Sequence, residues 1–258
     1  MILNGWSVMT PNKLHKIGII GGSGLDDPKL LNNIKQVVIK TPYGLPSDNL
    51  VTGQLASREV VILARHGKKH TIPPTQIPFR ANIWALHKLG CDVILATTAC
   101  GSLKTKFKPG QIVFLDQCID FTKLRPLTFF DKHQVVHTPM AEPFDKKLRK
   151  QLIKLAKKLK LSHHPKGTMI TIEGPRFSTQ AESLMFKKWG ADLINMSTIP
   201  EVTLANEIGI PYQSIAMVTD YDCWKKNEIP VTFEMILKTM HQNADKVKRL
   251  LIEFVATY

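Results

Sequence analysis

Short apolar runs along this chain alternate with stretches in which apolar residues recur every three or four positions. The runs read as buried strands over Lys16–Gly21, Glu59–Ala64, Asp92–Thr97, Gln111–Ile119, Gly167–Ile172, Ala191–Met196 and Tyr212–Val218. The helical spacing predicts helices over Arg80–Leu89, 146–160, Thr179–Trp189 and Pro200–Ile208, and a long closing helix over Thr232–Val255. Strands alternating with helices predict an α/β sheet covered by helices. No Pro/Gly/Ser linker divides the chain and no internal repeat shows. A single domain over residues 16–258 is therefore expected, preceded by an N-terminal extension, 1–15, in which Met9 offers a second possible start.

Charge changes the picture little. Lys and Arg number 35 against 21 Asp and Glu, a net charge of +14. Yet the cations are scattered or lie on helix faces, as in "KKLRKQLIKLAKKLK", where Leu148, Leu152, Ile153, Leu155 and Leu159 form the apolar stripe. A nucleic-acid partner is not expected, whereas a small anionic substrate would feel the same field. No apolar stretch approaches the ~18 residues of a membrane span, and the N-terminus lacks the apolar segment of a secretory signal. Cys91, Cys100, Cys118 and Cys223 form no CxxC pair and no metal-ligand spacing. They read as reduced, buried residues of a cytoplasmic protein without bound metal.

Chemistry concentrates where strands end. "IGIIGGSGLDDP" (17–28) supplies glycines whose amides can wrap an anion, with Ser23 adding a hydroxyl. It fits neither GxGxxG, with Asp27 in the last place, nor G-x-S-x-G, with Leu25 there, and the chain has no GxxxxGK[ST]. "LARHGKKHT" (63–71) sets Arg65 and His66 just after a strand, a planar fork and a switchable donor for a phosphate. His66 and His70 have helical metal spacing, but Gly67 argues against a helix and no carboxylate stands nearby. "LATTACGSL" (95–103) ends a strand in Thr97 and Thr98. A plain turn is the other reading of each, and three such turns together favour an anion site. Last, Asp220 and Asp222 stand at the mouth of a strand, two apart, a spacing of roughly 6–7 Å on one side of an extended chain.

In order, these stretches resemble the 5'-methylthioadenosine phosphorylases of the trimeric purine nucleoside phosphorylase family. The likeness also covers "TPYGLPSD" (41–48), "ANIWALHKLGC" (81–91), "HTPMAEPF" (137–144), "GTMITIEGPRFSTQAES" (167–183), "WGADLINMSTIPEVTLA" (189–205) and "SIAMVTDYDCW" (214–224). It implies a central mixed sheet, partly barrel-like, flanked by helices, and a homotrimer. It implies a phosphate site of Ser23, Arg65, His66, Thr98, Ala99 and Ser197, with serine where relatives often carry threonine at the first and last. The nucleoside would meet Phe177, Ser178 and Met196, with His137 lent to a neighbouring subunit. Phe233, Ile236 and Leu237 would line the 5' pocket, Phe233 replacing a smaller valine. Asp220 would act at purine N7 and Asp222 at the amino group, both with raised pKa. The implied reaction is phosphorolysis of methylthioadenosine without metal or organic cofactor. A water-using nucleosidase and a broader 6-aminopurine or 6-oxopurine phosphorylase are the alternatives, the second disfavoured by the two aspartates.

Overall fold

The computed structural model describes residues 16–21, 31–132, 134–225 and 233–258, the side chains of 233–238 and 240–242 excepted. The chain runs through β1 (Lys16–Gly21), β2 (Asn32–Val37), β3 (Leu50–Leu55), β4 (Arg58–Ala64), α1 (Phe79–Lys88) and β5 (Val93–Ser102). It continues through β6 (Ile112–Phe114), β7 (Gln117–Phe121), α2 (Lys146–Lys158), β8 (His163–His164), β9 (Thr168–Ile172) and α3 (Gln180–Lys188). It ends with β10 (Leu193–Asn195), α4 (Thr198–Glu207), β11 (Tyr212–Asp220) and α5 (Phe233–Thr257).

These strands form one mixed sheet, in the order β2-β3-β4-β1-β5-β10-β9-β7, with β11 branching from β5 to β6. Central strands are buried on both faces, which is why β1, β4 and β5 read as continuous apolar runs. Along β5 the side chains alternate between layers: Ile94 and Ala96 pack on the α1 and α4 side, Val93 and Leu95 on the α2 and α5 side. The α2 stripe buries Leu148, Leu152 and Leu155, its lysines stay outside, and Asp145 caps its first turn by accepting from Leu148 N at 2.8 Å. Each buried aliphatic side chain contributes about 1.5–3 kcal/mol.

The predicted strand Gln111–Ile119 proves to be two. It bends at Leu115 and Asp116, whose amides reach Ser214 O and Gly167 O. Its halves belong to different branches, β6 beside β11 and β7 beside β9. The branches leave β5 together and rejoin through this bend, so this part of the sheet is barrel-like. The β2–β3 hairpin was not anticipated, because β2 is a polar edge strand with no buried residue and hence no apolar period.

Candidate active site

Strand β5 pairs with β1 over Val93–Ala96 and with β10 at Gly101 and Ser102. Between these ladders, over 97–100, no described strand covers that edge, although β11 pairs along the other. The gap is the kind of sheet fork where α/β proteins gather ligands. A cavity of about 580 Å³ opens there, its wall including Thr97, Thr98, Ala99, Cys100 and Gly101.

One end of the cavity gathers Arg65, His66, Thr98 and Ser197. Arg65 directly follows β4, but its fork is not offered to solvent as expected: the residue is 3% exposed and bonds bidentately to Glu201, Nε to Oε1 at 2.5 Å and Nη2 to Oε2 at 3.0 Å. Nη1 donates to Thr97 O at 2.8 Å. These bonds take three of the five donors of the guanidinium, and Arg65 lines the cavity. Burial opposes its charge, but the Glu201 carboxylate outweighs that and raises its pKa.

His66 also departs from expectation. Burial, together with the charges of Arg65, His70 and Arg125, lowers its pKa to about 4, so the ring is neutral near pH 7. Its Nδ1 lies 2.8 Å from Ile72 O, and because a carbonyl can only accept, Nδ1 carries the proton and Nε2 is an acceptor. Gly67, at φ +73°, turns the chain here, and the rings of His66 and His70 stack at 4.4 Å rather than converging on a metal. Among the described residues no group of three His, Cys, Asp or Glu could hold a metal ion.

Thr98 and Ser197 place their hydroxyl oxygens 3.0 Å apart. Asn195 fixes this pair from β10: its Oδ1 accepts from Thr171 at 2.9 Å and its Nδ2 donates to Thr98 Oγ1 at 3.0 Å. Thr98 therefore accepts a hydrogen bond from behind and keeps its own O–H for Ser197, the Ala99 carbonyl or a ligand. Arg125 spends its donors on the structure, bonding Glu173 and the carbonyls of Ile172, Glu173, Met196 and Ile199, and so pins the ends of β9 and β10 beside the cavity.

The two aspartates form the other end. The β5–β11 register slips between Val218 and Asp220, a bulge that re-aims the strand end. The pairing does not come from extended alternation, as the spacing suggested. The chain turns, Asp222 sits at φ +51°, and its amide donates to Asp220 Oδ1 at 2.7 Å. Asp220 Oδ2 accepts from Thr219 Oγ1 at 2.6 Å. Asp222 accepts from Ser178 Oγ at 2.8 and 2.9 Å and from Ser183 Oγ at 2.5 Å. Burial raises the pKa of both carboxyls, and the charge of Asp222 adds to the rise at Asp220. Gly101 lets this turn approach β5, since a Cβ there would lie 3.0 Å from Asp220 Oδ1 and 3.3 Å from Asp222 Cβ. From Thr98 to Gly101 along the strand is roughly 10 Å.

Arg65, His66, Thr98, Ala99, Phe177, Ser178, Met196, Ser197, Asp220 and Asp222 thus line one cavity. His137 does not; it is exposed elsewhere on the surface. Ser23 and the side chains of Phe233, Ile236 and Leu237 lie outside the described residues. Sequence reasoning passed over Glu201, Asn195 and Ser183, all buried. A glutamate set among apolar residues in "TIPEVTLA" was the available signal, because a buried carboxylate needs a cationic partner.

The family model of the phosphorylase superfamily matches residues 16–256. S-methyl-5'-thioadenosine phosphorylase of Danio rerio is 54% identical over 249 residues, 95% of this chain and 89% of the relative. The protein of that name from Thermofilum pendens is 50% identical over 240 residues, 93% of this chain and 91% of the relative. Among solved structures, methylthioadenosine phosphorylase from Schistosoma mansoni in complex with adenine superposes with a TM-score of 0.90 at 44% identity, covering 94% of this chain and 91% of that one. A mutant of the Schistosoma mansoni adenosine/methylthioadenosine phosphorylase in complex with methylthioadenosine gives 0.89 at 43%, with coverage of 94% and 91%.

Proposed function

The chain belongs to the phosphorylase superfamily, and from that premise we propose how its cleft works as a 5'-methylthioadenosine phosphorylase. The reaction is phosphorolysis: methylthioadenosine and inorganic phosphate give adenine and 5-methylthioribose-1-phosphate. The observation that carries the mechanism is the division of one cavity into an anion-holding end at Thr98 and a two-carboxyl end at Gly101, about one nucleoside apart along β5.

Phosphate lies against Arg65, the Thr98 and Ser197 hydroxyls and the backbone at Ala99, on an edge that no described strand covers. It faces C1' of the sugar, beside Met196, where its charge stabilises the developing oxocarbenium ion. Neutral His66 contributes an acceptor, suited to a hydroxyl of the sugar or of a protonated phosphate. At the far end Asp220, whose raised pKa favours the protonated form, donates to N7 as the base departs. Asp222, held by two serine hydroxyls, accepts from the exocyclic amino group. Phe177, 45% exposed at the rim, covers the base or sugar. Holding both reactants together removes much of the entropic barrier. The scheme asks for no metal or organic cofactor, and phosphate is a co-substrate.

Our reading extends to a homotrimer in which His137 completes a neighbour's 5' pocket. Its support is the exposed position of His137 on a segment that also presents Leu124 and Val135, 83% and 80% exposed, apolar surface suited to a subunit contact. A reducing compartment such as the cytoplasm suits four cysteines that form no disulfide. The deciding experiment is adenine release from methylthioadenosine with and without phosphate. Release that requires phosphate is expected, and an equal rate without it would make the protein a nucleosidase.

A further inference from the structure

Arg65 does not stand alone at the anion end, and what stands behind it has no solvent to replace it. Glu201 lies in the first turn of α4 and is 0% exposed. Both of its oxygens are spoken for: Oε1 takes Arg65 Nε, while Oε2 takes Arg65 Nη2 at 3.0 Å and Tyr212 Oη at 2.8 Å. Tyr212 opens β11 and is the largest of the fully buried side chains. Burial, reinforced by Glu201, raises its pKa well above 10, so the phenol remains a donor at any working pH. The Thr97 carbonyl on β5 accepts from Nη1. Four elements thus fix one guanidinium plane: β4 supplies it, and α4, β11 and β5 clamp it.

This arrangement has two effects on an incoming anion. Arginine has several side-chain torsions, and an unclamped guanidinium would pay their ordering cost each time phosphate bound. The clamp pays it during folding and leaves the remaining N–H bonds aimed in advance. The carboxylate also balances the cation, so the empty site is not a bare buried charge that would hold phosphate too firmly to let it react.

We propose that Glu201, backed by Tyr212, is a positioning residue that aims Arg65 at phosphate and thereby sets the affinity for that co-substrate. The inference rests on the phosphorolytic reading given above. It separates the roles of the two cavity ends, because the network makes no bond to Asp220, Asp222, Ser178 or Ser183.

Steady-state kinetics with each substrate varied in turn tests this in Glu201→Gln and in the milder Tyr212→Phe. The first is expected to raise KM for phosphate about tenfold or more and the second a few-fold, while KM for methylthioadenosine changes less than about twofold. Glu201→Asp, which keeps the charge on a shorter arm, should recover part of the loss. A second readout needs no turnover: the rise in Tm that phosphate alone confers should shrink in the same order. Should Glu201→Gln fail to fold, Tyr212→Phe carries the test. An unchanged phosphate KM, or an equal rise in both KM values, would overturn the proposal and leave Glu201 a structural partner only. Wild-type release of adenine without phosphate would instead remove the phosphorolytic reading itself, whatever the variants did.

Discussion

The backbone amide of Asp222 donates to the side chain of Asp220 across 2.7 Å, so the two acids are joined by a turn rather than set side by side on a strand. The bond ties the orientation of one carboxyl to the backbone that carries the other. It also leaves their work separable, because each has its own hydroxyl partners.

Replacing Asp220 with Asn should therefore cut phosphate-dependent adenine release by ~10²-fold or more, the scale of losing a general acid. The pH profile offers a sharper check. Burial places the Asp220 pKa above the ordinary 3.8, and in the proposed mechanism the protonated form is the donor. Wild-type kcat should fall as pH rises through that raised value, and the same limb should be missing in Asp220→Asn.

His66 predicts a stability effect with a definite sign. Its folded pKa is about 4 against 6.5 in the unfolded chain, so between those values the unfolded state binds the extra proton. Stability should drop as pH falls from about 6.5 towards 4, by on the order of 3 kcal/mol from this ring. Urea unfolding at pH 7 and at about pH 4.5 should show a smaller drop in His66→Gln than in wild type. Identical drops would mean the imidazole is not the group that titrates.

Gly101→Ala adds a methyl 3.0 Å from Asp220 Oδ1 and 3.1 Å from Ile194 Cγ2. The turn must yield by a few tenths of an ångström, at about 1–3 kcal/mol of stability. We expect kcat to fall about tenfold, since misplacing a reacting group by 1 Å can cost ~10², with phosphate KM nearly unchanged. A selective loss of phosphate affinity would contradict the division of the cavity.

Ser183→Ala removes the shorter of the two serine contacts to Asp222 and leaves that buried carboxyl with Ser178. The Asp222 pKa should rise further, and KM for methylthioadenosine should increase about fivefold, a loss near 1 kcal/mol and within the usual worth of one hydrogen bond. Isothermal titration with adenine measures the same loss without turnover.

Much of this was legible in the chain because the central strands and helices follow their apolar periods. β1 was read at its observed bounds, and β4 and β9 to within one residue. What escaped was tertiary in origin. Nothing local distinguishes β6 from β7, because the bend at Leu115 and Asp116 is imposed by two different neighbours. The polar cavity residues were legible as groups at strand ends, and the raised pKa at the paired aspartates with them, but the states of Arg65 and His66 were not. Arg65 read as an exposed fork because Glu201 lies 136 residues away in sequence. His66 read as a switchable donor because only the fold shows Ile72 O accepting from its Nδ1.

The edge of β5 that no described strand covers makes the two halves of the site unequal before mutation and selection. Backbone groups between two ladders cannot be removed by exchanging side chains, so the oxyanion contacts proposed above persist for as long as the sheet forks at 97–100. In the proposed mechanism the choice of base hangs instead on one bulge and two serine hydroxyls, all within reach of single substitutions. On the proposed reading, a lineage built on this scaffold changes the purine it accepts more readily than its hold on phosphate.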